Sequence, residues 1–244
     1  MNYIVVIPAR LASTRLPEKP LIDIKGKSLI QRTYEQCSKA VSADKIWIAT
    51  DSEKIKIHCE RLGMNVIMTS DQCLTGTDRV AEVAKKIEAD YYINVQGDEP
   101  VINPNDIKKA IQAISDFPNE IINGYTAIDT KEDYYSLTIP KVVFKPNGEL
   151  LYMSRAGIPG NKKGEFVTSW RQVCIYVFPK NSLQAFTSVT TKTPLEEQED
   201  IEILRFLELN HKVRMIEMSC DSIAVDTPED VVKVINRLNQ GHNE

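Results

Sequence analysis

Three groups of ionisable side chains in this sequence come directly after apolar runs. The first is Pro8-Ala-Arg10-Leu-Ala-Ser13-Thr-Arg15-Leu-Pro-Glu-Lys19-Pro-Leu, behind the run Tyr3 to Ile7. Residues 1–27 hold five cations (Arg10, Arg15, Lys19, Lys25 and Lys27) against Glu18 and Asp23, a local charge of +3 in a chain of net −4. Cations spaced in this way can hold a triphosphate through charge-assisted hydrogen bonds. A solvated basic loop is the competing, plainer reading. The other two groups are acidic. Asp98 and Glu99 follow Tyr91 to Val95, and Asp226 follows the short apolar run Ile223-Ala-Val225. Two carboxylates at strand ends can share one Mg²⁺, which takes one or two protein carboxylates and completes its shell from phosphates and water. Ordinary roles compete for both acids. Asp226 precedes a capped helix, whose N-terminus favours a carboxylate in any case, and Asp98 lies beside Gly97 and near Pro100, a setting that fits a turn.

The elements that must position these groups read as alternating strands and helices. Tyr3 to Ile7 is a buried strand, and Leu29, Ile30, Tyr34, Cys37 and Val41 mark a helix over Ser28 to Val41. Lys45 to Thr50 is a second strand, then come a helix, the strand Asn65 to Met68, and an amphipathic helix over Asp78 to Ile87 with Thr77 as N-cap. Tyr91 to Val95 is the fourth strand. This alternation is the pattern of βαβ units around a mostly parallel, doubly wound sheet. Ligands gather at the carboxyl ends of such strands, where the basic loop and the acids fall. After about Asn123 the rhythm changes. Lys141-Val-Val-Phe and Glu149-Leu-Leu-Tyr-Met flank Pro146-Asn147-Gly148, a hairpin signal, so an antiparallel insertion is expected. Arg171 to Phe178 is a further strand, and Pro194 to Leu209 reads as one amphipathic helix. The last helix starts at Thr227-Pro228-Glu229-Asp230, with Pro228 in the first helical position and a capping box from Thr227 to Asp230.

Composition narrows the classes. The 244 residues are 42% hydrophobic and 26% charged, a soluble globular profile read as one domain over 1–244 with an insertion. No apolar run reaches the roughly eighteen residues of a membrane span, and Met1-Asn2-Tyr3 leads into a strand without a basic leader, so neither a membrane partner nor secretion is expected. A chain of net −4 without a long basic tract argues against nucleic-acid binding. Five scattered cysteines without a Cys-x-x-Cys pair fit a reduced cytoplasmic protein, and three distant histidines make a zinc site improbable. Neither G-x-G-x-x-G nor G-x-x-x-x-G-K-[ST] occurs, which counts against dinucleotide redox chemistry and P-loop hydrolysis.

Taken together, the segments resemble one family. IPAR-x-x-S-T-R-L-P-x-K-P-L at Ile7 to Leu21, ATD at Ala49 to Asp51, MTS…TGTDR-x-AEV at Met68 to Val83, NVQGDEP at Asn94 to Pro100, YMSRAGIP at Tyr152 to Pro159 and VDTPED at Val225 to Asp230 look like CMP-KDO synthetase, the 3-deoxy-manno-octulosonate cytidylyltransferase family. The resemblance implies a Rossmann-like nucleotidyltransferase that transfers CMP from CTP to a 3-deoxy-2-ulosonic acid with Mg²⁺ and releases pyrophosphate. It also implies a cytoplasmic homodimer, its contact lying in the antiparallel stretch from about Ile139 to Phe178, and a product destined for lipopolysaccharide or capsule. By motif, Arg10, Ser13, Arg15 and Lys19 would hold the triphosphate, Thr75, Gly76, Arg79 and Gln96 would lie at the nucleotide, and Asp98 and Asp226 would hold the metal. Arg10, Arg15, Lys19 and Asp98 form the implied catalytic set. Arg155, Gln172, Tyr176 and Glu202 form the implied sugar side.

Two departures fall on the sugar side. Where the family usually reads K/R-H-V-G-I-Y, this chain has Arg171-Gln172-Val173-Cys174-Ile175-Tyr176, and L-E-Q-L-R becomes Ile201-Glu202-Ile203-Leu204-Arg205. Either Gln172, with both a donor and an acceptor, serves the same hydroxyl as the histidine while Ile203 packs, or the pocket takes a modified ulosonate such as 8-amino-KDO. The same motifs are compatible with a sialic-type acid as acceptor and with a non-catalytic nucleotide-binding homologue, since fold does not fix function.

Overall fold

The first strand, β1 (Tyr3–Ala9), is buried from Ile4 onward, as a parallel strand covered on both faces must be. The computed structural model describes residues 1–13 and 15–240, so Thr14 of the basic segment lies outside it. The chain divides into two units, Met1–Lys108 with Asp221–Glu244, and Lys109–Cys220.

In the first unit β1 is followed by the short hairpin β2 (Asp23–Ile24) and β3 (Lys27–Ser28), then α1 (Leu29–Ala40), β4 (Ile46–Thr50), α2 (Glu53–Arg61), β5 (Asn65–Met68), α3 (Gly76–Ala84), β6 (Tyr91–Val95) and α4 (Pro104–Ala113), which runs across the boundary. Four strands pair in parallel in the order β6-β1-β4-β5, with Val5 opposite Ile46, Tyr3 opposite Tyr91 and Trp47 opposite Asn65. The chain moves outward from β1 through β4 to β5, then returns to lay β6 on the other side of β1. That reversal is a topological switch point. Helices cover both faces. A Cβ built on Gly97 would meet Ile7 and Ile30 of α1, whereas one on Gly76 of α3 would meet Pro8. Ile7 and Pro8 are successive strand residues and point to opposite faces, so α1 and α3 lie on opposite sides of the sheet.

In the second unit the elements are β7 (Ile121–Ala127), α5 (Lys131–Tyr135), β8 (Lys141–Phe144), β9 (Leu150–Ser154), β10 (Trp170–Pro179), α6 (Lys180–Ser188), α7 (Pro194–Glu199), α8 (Ile203–Glu208) and β11 (Val213–Glu217). β7 pairs in parallel with β11 and antiparallel with β10, β10 pairs antiparallel with β8, and β8 with β9. The expected α/β architecture, mostly parallel with an antiparallel part, is present. Gly148 takes φ +84° in the β8–β9 turn, the conformation that Asn-Gly signals.

Several boundaries differ from the sequence expectation. The N-cap of α3 is Thr75 rather than Thr77. Its hydroxyl accepts from the Asp78 N–H while the Asp78 carboxylate accepts from the Thr75 N–H, so the helix starts two residues earlier. Ile223 to Val225 is not a strand. Its Val225 N–H is spent on the Asp98 carbonyl at 2.9 Å. The single helix expected over Pro194 to Leu209 is two, α7 and α8, broken where Asp200 takes φ +51°. Lys192 Nζ holds the Asp200 carboxylate at 2.6 Å, and the Arg155 guanidinium binds its carbonyl at 3.0 Å. The capping box at Thr227 and Asp230 forms as expected.

In the core of the second unit lies a fully buried ion pair, Arg205 with Glu196, at 2.5 and 2.7 Å, and Phe186 lies 3.7 Å under the guanidinium. Removing one partner strands a charge out of water, whereas removing both does not. Arg205→Met should therefore cost about 3–5 kcal/mol in urea unfolding. The double variant Arg205→Met with Glu196→Leu should recover most of the loss, and a loss equal to or greater than that of the single variant would contradict this account of the pair.

Candidate active site

The basic loop is fixed by its apolar residues. Leu16 and Ile22 pack on a cluster made of Ile24, Leu29, Val225 and Val234, Pro20 is buried, and residues 19–21 form a 3₁₀ turn entered through Glu18 at φ +52°. Val225 and Val234, the latter in the last helix (Pro228–Gln240), belong to the same cluster. Burial of these side chains draws Lys19 and Asp226 to one place, although 207 residues separate them.

Asp98 arrives from the end of β6. Gly97 must be glycine, because a Cβ there would lie 2.6 Å from the Pro8 carbonyl oxygen of β1. Its own carbonyl accepts from the Thr33 hydroxyl of α1 at 3.2 Å. The buried Glu99 carboxylate accepts from the Ser222 hydroxyl, and the Asp98 carbonyl accepts from Val225 N–H. The turn after β6 is thus sewn to the segment that carries Asp226.

At the centre, Lys19 Nζ lies 2.8 Å from Asp98 Oδ2 and 3.0 Å from Asp226 Oδ1, and an Arg15 nitrogen lies 3.1 Å from that same Asp226 oxygen. The Lys19 side chain is 17% exposed and that of Arg15 57%. Burial works against the charge on Lys19, but Asp98 and then Asp226 outweigh it and raise the ammonium above its ordinary value. Arg15, Lys19, Asp98 and Asp226 therefore form one cluster at the switch point. Arg10 follows β1 directly and is exposed, and Ser13 is half-buried.

A second grouping lies on the α3 face. Gln96, two residues before Asp98, meets Gly76, whose added Cβ would lie 3.3 Å from the Gln96 amide nitrogen and 3.5 Å from Pro8. Thr75 caps the helix at that point. Arg79 is turned elsewhere. Its guanidinium is buried, donating to Asp51 at 2.9 Å, to the Thr69 hydroxyl, and to the Ser70 carbonyl at 3.4 Å. It ties α3 to the ends of β4 and β5. One signal could have found Asp51: it ends a strand run as Asp98 does. Asn94, fully buried in β6, has no hydrogen-bond partner for either side-chain atom among the described residues.

The residues expected on the sugar side all lie in the second unit. Gln172 is buried, and its amide donates to Asn123 Oδ1 at 2.9 Å, while Asn123 donates to the Val173 and Ile175 carbonyls beside a bulge in β10. Tyr176 is buried and stacks on Phe178. Arg155 acts as a clamp. Its guanidinium donates to the Glu199, Asp200 and Leu137 carbonyls at 2.6, 3.0 and 3.1 Å, which holds the turn leading to the half-buried Glu202. Lys141 donates to the carbonyls of Ser136, Ile139 and Arg155, and burial, followed by the Arg155 charge, lowers its pKa. Ile203 is 1% exposed and packs in the core. Asn123, Lys141 and Glu199 were not singled out from sequence, and nothing in their local spacing marks them.

A doubly wound sheet with cations and two carboxylates gathered at its switch point fits a nucleotidyl-transferring protein. The comparisons agree: residues 4–214 match the cytidylyltransferase family model. The chain belongs to the 3-deoxy-manno-octulosonate cytidylyltransferase family. It is 39% identical to the 3-deoxy-manno-octulosonate cytidylyltransferase of Geobacter metallireducens, with 98% of this chain and 99% of that one covered. It is 36% identical to the 8-amino-3,8-dideoxy-manno-octulosonate cytidylyltransferase of Shewanella baltica, covering 98% and 99%. Among solved structures it matches a CMP:2-keto-3-deoxy-manno-octonic acid synthetase complexed with CTP at TM-score 0.91 and 34% identity, covering 99% and 100%. Among the described residues no helix is long and apolar enough to cross a membrane.

Glu199 anchors the expected sugar side. Its carboxylate accepts from Arg155 N–H at 2.8 Å, Ser154 at 2.7 Å and Tyr152 at 3.3 Å. Burial alone would raise this carboxyl, but these bonds and the Arg155 charge hold it below its ordinary 4.5. A carboxyl lowered in the native state stabilises it fully above the unfolded value, and that stability is lost as pH falls through the native value. Wild type should exceed Glu199→Gln by about 1–2 kcal/mol near pH 7. The gap should close on acidification below pH about 4.5, as followed by denaturant titration at a series of pH values. A gap independent of pH would show that the carboxylate charge is not what holds the segment.

Proposed function

We infer that this protein transfers CMP from CTP to the anomeric hydroxyl of 3-deoxy-manno-octulosonate and releases pyrophosphate. The observation that supports this most is the Lys19–Asp98–Asp226 cluster at the switch point, in a chain whose full-length relatives bear the name of that reaction. The ulosonate hydroxyl oxygen forms a bond to the α-phosphorus, the bond from that phosphorus to the bridging oxygen breaks, pyrophosphate leaves and the hydroxyl proton passes to solvent. No covalent enzyme intermediate is needed.

The chain's own residues supply position and charge. Arg10, Ser13, Arg15 and Lys19 hold the triphosphate, Thr75, Gly76 and Gln96 lie at the nucleoside, and Arg79 keeps α3 in place through Asp51. Fixing both reactants is worth up to ~7–11 kcal/mol when the geometry is right, and preorganised cations at the departing phosphate add to it. Asp98 and Asp226 fit a Mg²⁺ ion, because both already place a carboxylate oxygen within 3.0 Å of a single cationic centre and hard oxygen donors are what that ion takes. When bound, Mg²⁺ neutralises phosphate charge and can lower the pKa of a ligated hydroxyl. Gln172, Tyr176 and Glu202 are assigned to the sugar, with Arg155 holding their surroundings. Exposed Leu137, Leu151 and Val167, at 67%, 54% and 73%, support a homodimer through the antiparallel part, and the family likeness supports a cytoplasmic setting that feeds lipopolysaccharide or capsule assembly.

The acceptor has a second reading, since an 8-amino-3,8-dideoxy relative matches nearly as well. The inward packing of Ile203 favours the unmodified sugar, because that position then demands no new substrate group. Pyrophosphate release should be CTP-specific and faster with KDO than with 8-amino-KDO in parallel assays; the reverse order would make the amino sugar the substrate. Asp98→Asn should lower Mg²⁺-dependent turnover by about 10²-fold or more and leave the far-UV circular dichroism spectrum unchanged. Full activity in that variant would remove the metal assignment.

A further inference from the structure

We propose that the Lys19 ammonium and a divalent cation compete for the same two carboxylates, so that the metal enters together with the nucleotide, whose phosphates draw Lys19 off Asp98 and Asp226. This rests on the metal assignment above and adds an order to it. The ammonium takes the oxygens that an ion would need: Oδ2 of Asp98 at 2.8 Å and Oδ1 of Asp226 at 3.0 Å. An ion bound to those oxygens at the usual ~2.0–2.1 Å would fall within the space of Nζ. Charge leads to the same exclusion. Lys19 and Arg15 balance the two carboxylates, and a dication added alone would leave an excess of two positive charges on a cluster whose central Lys19 is 17% exposed. An anionic triphosphate removes that excess and offers the ammonium new oxygen partners. The loop need not move, because Leu16, Pro20 and Ile22 hold its backbone while the four-carbon lysine stem rotates.

The test is Mn²⁺ binding, read from the electron paramagnetic resonance signal of the free ion, without acceptor and therefore without turnover. Wild type should bind Mn²⁺ weakly alone and, with CTP, should take up Mn²⁺ beyond what the same CTP sequesters without protein. A neighbouring charge shifts the proton affinity of a carboxyl by about 1–3 pK units, so Lys19→Met should bind Mn²⁺ without CTP at least about tenfold tighter than wild type. Lys19→Arg, which keeps the charge, should show no such gain, and Asp98→Asn should abolish the gain in the Lys19→Met background. If Lys19→Met proves unfolded by circular dichroism, Lys19→Gln takes its place. A folded charge-removing variant that binds Mn²⁺ alone no better than wild type overturns the competition. The two readings fail differently: Mn²⁺ binding by wild type with CTP that ignores Asp98→Asn overturns the metal assignment itself, whereas Asp98-dependent binding with CTP but no gain in Lys19→Met overturns only the exchange.

Discussion

Two carboxylates aimed at one point repel each other, and much of the first unit serves to keep Asp98 and Asp226 there. Like charges held close together in a partly buried place cost free energy. Lys19 offsets it from between them and Arg15 from one side. The rest is geometry. Burial of Val225 and Val234 with Leu29 fixes one acid, the close approach of Gly97 to the Pro8 carbonyl fixes the other, and the hydrogen bond from Val225 N–H to the Asp98 carbonyl joins them.

The second unit handles charge differently. Arg205 and Glu196 are each 1% exposed and pair through two hydrogen bonds, so their pairing is internal. Asp98 and Asp226 keep 27% and 37% exposure, and their cations reach them on long side chains. A pair sealed from water resists exchange of partners, because each ion would be stranded while it changed. A partly wetted cluster permits exchange. Opposite charges are thus sealed in one unit and left open to water in the other, with solvent access as the difference.

Much of this could be read from the chain. Apolar runs gave β1, β4, β5 and β6, because parallel strands buried on both faces leave continuous hydrophobic stretches, and the site lay at their ends, where acids and cations break those runs. Asn147-Gly148 and Thr227-Pro228 marked their turn and helix start through local backbone preferences. What stayed hidden was decided at a distance. β7 contains Asn123-Gly124, a turn signal in isolation, yet Gly124 sits within a strand because β10 and β11 pair with it on either side, and a side chain there would strike the Met218 sulfur. The break between α7 and α8 depends on Lys192 and Arg155 gripping Asp200. Arg79 lies in a motif whose resemblance implies a ligand, but its guanidinium answers to Asp51, a partner 28 residues away that no periodicity links to it. The choice of Thr75 over Thr77 was open to inspection, since Thr75-Gly-Thr-Asp78 matches the capping-box spacing.

The first unit is discontinuous, opening with Met1–Lys108 and closing with Asp221–Glu244 after the whole of the second. On the ribosome, the four parallel strands and the basic loop emerge before the second unit, while Val225, Asp226 and the helix Pro228–Gln240 emerge after it. Until then Lys19 faces Asp98 alone, and Leu16 and Ile22 lack Val225 and Val234. A nascent chain therefore carries an exposed apolar cleft and an incomplete charge cluster for as long as the intervening 112 residues, Lys109–Cys220, take to synthesise. Domains tend to fold as units while the chain is made, so the second unit can fold before the first is finished. The charge cluster is then completed only by residues made after the second unit, and a chain interrupted within that unit would lack Asp226 and the Val225 and Val234 share of the apolar cluster.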